Sequence, residues 1–253
     1  MSDDPSPIDA DPRPASTKRH TFVYLVCSPL GRVGKTLTAR LVMDYYLSSD
    51  RFPLAFDTNH MDPGLAPVFP AETNVVDLTS TRGQMGLFDR LVVADEIPKV
   101  VDLWHVSYET FFRQAQEFEF FEESWRRGIE PIVVMLTDER ERFAKEIKTL
   151  ATQWRGIKIV LVHDEALTRL PQEAVYGKPF RLAHPIIPVP ELDVVVRRAL
   201  DQPKILLDRI IREPSPDTSF VIVSRVRSLL APFFDQFESF ERKLVLENAT
   251  FLG

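Results

Sequence analysis

Short, continuous apolar runs alternate along this chain with longer segments in which apolar residues return every three or four positions. The runs lie at about 22–27, 53–56, 75–76, 129–139, 156–166 and 183–189. Runs of this kind predict parallel strands buried on both faces, because a strand with one wet face alternates apolar and polar residues instead. Between them the helical spacing is plain near 35–48, where Leu37, Leu41 and Tyr45 share a face, and again at 140–154. Residues 84–127 carry helical periodicity in which a short strand at Val100–Trp104 is concealed. Phe111, Ala115, Phe118, Phe121 and Trp125 then form one stripe, read as packing against a sheet rather than as a partner surface. The whole predicts an α/β fold: a doubly wound, mostly parallel sheet with helices on both faces, in three layers, over residues 20–202.

The two ends depart from this pattern. Residues 1–19 hold four prolines, several aspartates and almost no large apolar side chain, and are read as a disordered tail. Residues 203–253 are read as a helical C-terminal extension, interrupted at 212–219 and striped by Phe233, Phe237, Phe240 and Leu244. Its last helix mixes Asp235, Glu238, Glu241 and Glu247 with Arg242 and Lys243, which suits packing on the same domain or in a dimer better than lying on a membrane.

Composition narrows the classes. With 253 residues, 44% hydrophobic and 27% charged, the chain suits one large globular domain. A net charge of -6 argues against broad affinity for DNA or an anionic membrane surface. The single cysteine, Cys27, can form no disulfide within the chain, as expected in a reducing compartment. No apolar run reaches the ~18 residues of a membrane span. The expectation is a cytoplasmic protein.

The candidate chemistry is concentrated in VYLVCSPLGRVGKTLTAR, residues 23–40. A strand running into a glycine-containing loop and reopening as a helix near Lys35 is the order of a phosphate-binding loop. Gly31 and Gly34 permit unusual backbone angles, so that N–H groups turn inward on an anion at the helix N-terminus. Lys35 is expected to neutralise terminal phosphates and Thr36 to offer its hydroxyl to Mg2+. The strict pattern GxxxxGK[ST] is not met, because Pro29 stands at its first glycine. Downstream, Asp57 and Asp77 each close an apolar run, and acids at carboxyl ends of parallel strands face the same crevice as the loop. Asp57 has a plainer alternative, the start of an Asx turn. None of the five histidines has metal-site spacing with another His or a Cys.

The string LGRVGKT resembles the KGGVGKT loop of the ParA/MinD-like ATPases of the SIMIBI class, P-loop NTPases with a deviant Walker A sequence. Gly31, Val33, Gly34, Lys35 and Thr36 match; Leu30 replaces the signature lysine and Arg32 the second glycine. The resemblance spans about 20–200, with only the loop specific. It implies ATP and Mg2+ as cofactors and residues 31–37, Leu37 included, as nucleotide contacts. It implies Thr36, Asp57 and Asp77 around the metal, Asp57 as the first acid of a D-x-D-P motif whose second is Asn59, and Gly83 as the γ-phosphate sensor after Asp77. His163 falls where such proteins carry an adenine-contacting Asn, and no [NT]KxD motif is present, which favours ATP over GTP. Lys35, Asp57, Asp77 and Arg32 are the expected catalytic set. Arg32 either supplies the charge that Leu30 lacks, to its own nucleotide or across a homodimer, or is solvated. The implied function is a Mg-ATP-dependent ATPase whose nucleotide state controls association with itself or an unidentified protein partner. The alternatives are a nucleotide-binding regulator or scaffold that has lost hydrolysis, and a small-molecule phosphotransferase on the same fold.

Overall fold

A computed structural model describes residues 21–136, 141–164, 184–189 and 219–250, with a few isolated positions between 190 and 218. Its strands are β1 (Thr21–Cys27), β2 (Leu54–Asp57), β3 (Thr73–Val75), β4 (Lys99–Asp102), β5 (Ile129–Leu136), β6 (Lys158–Asp164) and β7 (His184–Val189). They form one seven-stranded sheet in the order β3-β2-β4-β1-β5-β6-β7, with every pairing parallel. Six helices are described: α1 (Lys35–Ser48), α2 (Thr81–Leu91), α3 (Tyr108–Glu117), α4 (Phe120–Arg126), α5 (Glu141–Gln153) and α6 (Phe220–Thr250).

Strand pleating sorts consecutive side chains into two cores. Tyr24, Val26, Ile132, Val134, Val160 and Val162 face one core, closed by α1 and α6. Val23, Leu25, Cys27, Val133, Ile159 and Leu161 face the other, closed by α2 to α5. The sheet is therefore doubly wound, with helices on both faces and a long C-terminal helix, as the apolar runs predict.

Two details differ from the sequence reading. The concealed strand ends at Asp102 instead of Trp104 and occupies a central place between β2 and β1. The aromatic stripe is broken into α3 and α4 by Glu119, whose φ of 51° is left-handed, and this leaves Phe118 44% exposed while its stripe partners are buried. The expected loop and helix after β7 lie outside the described residues. Among the described residues, no helix is long and apolar enough to cross a membrane.

The helix α6 is a structural part of the sheet domain. Phe233, Phe237, Phe240 and Leu244 are buried in the α1-side core. Glu241, on the same face, accepts hydrogen bonds from the hydroxyls of Tyr24 at 2.5 Å, Tyr45 at 3.3 Å and Tyr46, and from Arg51 at 3.3 Å. A buried carboxylate supplied with several donors avoids the penalty of an unpaired charge, so it pins the helix in one register.

Candidate functional site

The chain order creates the site. From β1 the chain crosses to β2, whereas from β4 it crosses past β1 to β5. Connections leaving adjacent strands in opposite directions open a crevice at their carboxyl ends, here those of β1 and β4. The loop 28–34 rises from β1 into this crevice and enters α1 at Lys35.

Gly34 caps α1 with φ 88° and no side-chain capping bond, so the first turn presents backbone N–H groups. Arg32 also holds a left-handed φ of 59°. A non-glycine residue there is strained by roughly 1 kcal/mol. The loop thus keeps the backbone form of a glycine at 32 while carrying an exposed guanidinium. Val33 and Leu37 pack, half-buried, against the α1-side core and fix the loop's base. Lys35 is buried, and its Nζ donates to the carbonyl of Leu30 at 2.5 Å. Burial holds its pKa below the ordinary lysine value, with the Asp102 charge opposing.

Thr36 Oγ1 donates to Asp102 Oδ2 at 2.6 Å. Asp102 is the residue the sequence reading passed over, since a strand drawn through to Trp104 hides an acid that in fact ends its run, as Asp57 ends the preceding one. Register sets Asp57 directly beside Asp102. Burial pushes the Asp102 carboxyl up to about 7, helped by the Asp57 charge and opposed by the Thr36 hydrogen bond and Lys35.

Asp57 is fully buried, and both its oxygens are engaged by its own loop. Oδ1 accepts from the Asn59 N–H at 3.1 Å and Oδ2 from the Leu65 N–H at 2.8 Å. Its Asx-turn role is therefore real, and it ties residues 57–65 down over the start of α1. Gly64 permits this approach, because a Cβ there would stand 2.8 Å from Thr36 Cγ2. Thr58 bridges to β4: its hydroxyl accepts from the Trp104 N–H at 2.7 Å and donates to the Asp102 carbonyl at 3.1 Å.

Asp77 and Gly83 lie elsewhere on the same edge. Asp77 follows the edge strand β3, three strand positions from β1, or about 14 Å. Its carboxylate accepts from the Thr79 N–H at 2.9 Å and hydroxyl at 2.7 Å, which hold its pKa below the usual value. The Gly83 N–H donates to the capping Ser80 hydroxyl at 3.0 Å, and a Cβ there would fall 1.9 Å from the Asp77 carbonyl oxygen. Gly83 is thus explained by close packing of α2 on its entry turn. His163 is the penultimate residue of β6, two strands from β1; its side chain lies outside the described residues.

His105, unremarked in the sequence, stands against the loop, its ring atoms 3.2 to 3.4 Å from where a Gly31 Cβ would be. Burial lowers its pKa, and the Lys35 charge acts in the same direction. The structure thus gathers Gly31, Arg32, Val33, Gly34, Lys35, Thr36, Leu37 and Asp57 around one crevice, adds Asp102, Gly64 and His105, and leaves Asp77 and Gly83 at its far rim.

The donor set can be tested against Mg2+. Thr36 and Asp102 offer hard oxygen atoms side by side at the start of α1 and the end of β4, so these residues fit the ion. Among the described residues no cluster of three His, Cys, Asp or Glu side chains forms a metal cage, so most ligands would have to come from phosphate and water.

No family model matches the chain, and no curated protein sequence does. Among solved structures it is similar to a nucleotide-binding protein from Archaeoglobus fulgidus, solved with ADP, at 12% identity and a TM-score of 0.47, over 70% of this chain and 84% of that one.

Proposed function

We propose that the loop 31–37 binds the phosphates of ATP with Mg2+, and that the protein is a ParA/MinD-like ATPase whose nucleotide state controls association with itself or with a protein partner. One observation carries this reading: the Thr36 hydroxyl bonded to Asp102 across β1 and β4, beside Lys35 at the start of a helix whose N–H groups face the crevice. Backbone N–H groups and the Lys35 ammonium would hold the phosphates, and the exposed Arg32 would offer its guanidinium to a terminal phosphate or to a second subunit. Bound Mg2+, held through Thr36 and Asp102, would offset charge on the phosphate oxygens. The buried walls around Lys35 and Asp102 exclude water and strengthen each charge interaction within.

The second reading, a nucleotide-dependent regulator without hydrolysis, is favoured by Asp57. Its carboxylate is fully buried and both oxygens hold the 57–65 loop, which keeps it from meeting water in the crevice, and Leu30 supplies no signature lysine. Titration with a fluorescent ATP analogue, with and without Mg2+, beside phosphate release, tests both. Mg2+-dependent binding with turnover supports the first reading, binding without turnover the second, and no binding at all overturns both.

A further inference from the structure

Hydrolysis of a nucleotide in the crevice needs a side chain that holds the attacking water, and none of the three strand-end acids is placed for it. Asp57 is fully buried and bonded to its own loop, and Asp102 accepts from Thr36. Asp77 stands at the far rim, engaged by Thr79 and with His60 Nδ1 3.7 Å away. His105 is placed differently. Three residues beyond Asp102, it opens a short 3-10 turn, His105–Ser107, ahead of α3. Its Cε1, Nε2 and Nδ1 atoms come to 3.2, 3.3 and 3.4 Å from where a Gly31 Cβ would be, so both ring nitrogens lie against the loop. Neither has a hydrogen-bond partner among the described residues.

The main chain beneath this ring is fixed. The Trp104 N–H donates to the Thr58 hydroxyl, which donates in turn to the Asp102 carbonyl, and the Ser107 N–H donates to the Trp104 carbonyl at 2.9 Å. The Trp104 ring meets the imidazole edge-on, with centroids 5.8 Å apart. Lys35 reaches the same part of the loop: its Nζ is bonded to the carbonyl of Leu30, the neighbour of Gly31, and its charge is felt by His105. The cation that would hold the terminal phosphate and the imidazole therefore converge on residues 30–31. Burial and the Lys35 charge both lower the His105 pKa, which favours the neutral ring, with one nitrogen left as an acceptor.

We propose that His105 is a catalytic residue of ATP hydrolysis: one ring nitrogen accepts a hydrogen bond from the attacking water and directs its oxygen at the γ-phosphorus. The water oxygen bonds to phosphorus as the bond from phosphorus to the bridging oxygen breaks. ADP leaves with that electron pair, and the proton given up by the water passes through the imidazole to solvent, so the products are ADP, inorganic phosphate and a proton. This assignment rests on the ATPase reading above.

The test measures phosphate release from Mg-ATP by the full chain, beside titration with the fluorescent ATP analogue. His105→Ala should lower kcat on the order of 100-fold while KM and analogue affinity stay at the wild-type values, because the ring acts on the water and not on the nucleotide. His105→Gln, which keeps an acceptor, should retain more of kcat than His105→Ala, and added imidazole should restore part of the turnover of His105→Ala. A merely structural role would produce neither effect. Wild-type turnover that His105→Ala leaves unchanged overturns this assignment alone, as does a loss in His105→Ala that His105→Gln shares in full and imidazole does not relieve. A wild type that binds the analogue and releases no phosphate overturns the ATPase reading and this assignment with it.

Discussion

At the scale of single residues, backbone angle and burial decide what each side chain can do. Arg32 combines a left-handed φ with an exposed cation, and two substitutions separate these properties. Arg32→Gly should raise unfolding free energy by about 0.5–1 kcal/mol in urea melts, because the strain is removed. Arg32→Ala keeps the strain and removes the charge, so it should lower ATP turnover and ATP-dependent dimerisation while sparing ADP binding; sedimentation with each nucleotide beside phosphate release is the check. Lys35→Ala should weaken a fluorescent ATP analogue by at least about tenfold, and unchanged affinity would remove the loop from the nucleotide site. Asp102 supplies a pH signature in the metal-free protein. Its folded pKa of about 7 lies above the ordinary aspartate value of 3.8, so the native state keeps a proton that the unfolded chain has already released. This contribution is fully present below about pH 4 and lost as pH rises through about 7. Asp102→Asn should therefore be more stable than wild type at pH 8, by a few kcal/mol at most, and should show a flatter fall between pH 5 and 8. Parallel urea curves for the two proteins across that range would contradict the assignment.

At the scale of elements, α6 shows how a terminal helix becomes part of a sheet domain. Its aromatic face fills the α1-side core, and Glu241 collects three tyrosine hydroxyls and Arg51. Burial and the Glu241 charge push the Tyr24 and Tyr46 hydroxyls well above the usual tyrosine value, so they remain donors at any accessible pH. Glu241→Ala should cost about 2–4 kcal/mol, since it strands buried hydroxyls and the Arg51 contact together. Glu241→Gln, which keeps an acceptor, should cost clearly less. Equal losses in thermal or urea unfolding would mean that packing, and not the hydrogen bonds, anchors the helix. The stripe of Phe233, Phe237, Phe240 and Leu244 was legible because helical spacing survives in sequence. The role of Glu241 was not, since its tyrosine partners lie about 195 to 217 residues away along the chain.

At the scale of the whole molecule, the seven-stranded sheet seals its central strand completely. Cys27 ends β1 with no exposure, and burial drives its thiol far above the usual value, so it is inert chemically as well as sterically. Alkylation by a maleimide should follow the global unfolding curve in denaturant, and fast labelling of the native protein would mean that β1 opens locally. The amino-acid sequence by itself determined the fold class, the strand–loop–helix segment that carries Gly31, Gly34, Lys35 and Thr36, and most strand positions, because apolar periodicity and a loop of contiguous residues are written along the chain. Strand order is not written there. Three carboxylates closed three apolar runs in similar local strings, and only the assembled sheet distinguished them: β4, inserted between β2 and β1, brings Asp102 to Thr36, while β3 at the edge carries Asp77 away. The physical reason is that a strand's neighbours are chosen by long-range pairing of backbones and by which face of the sheet each crossover helix covers. That choice decides which acid faces the loop, although each strand's own sequence reads much the same.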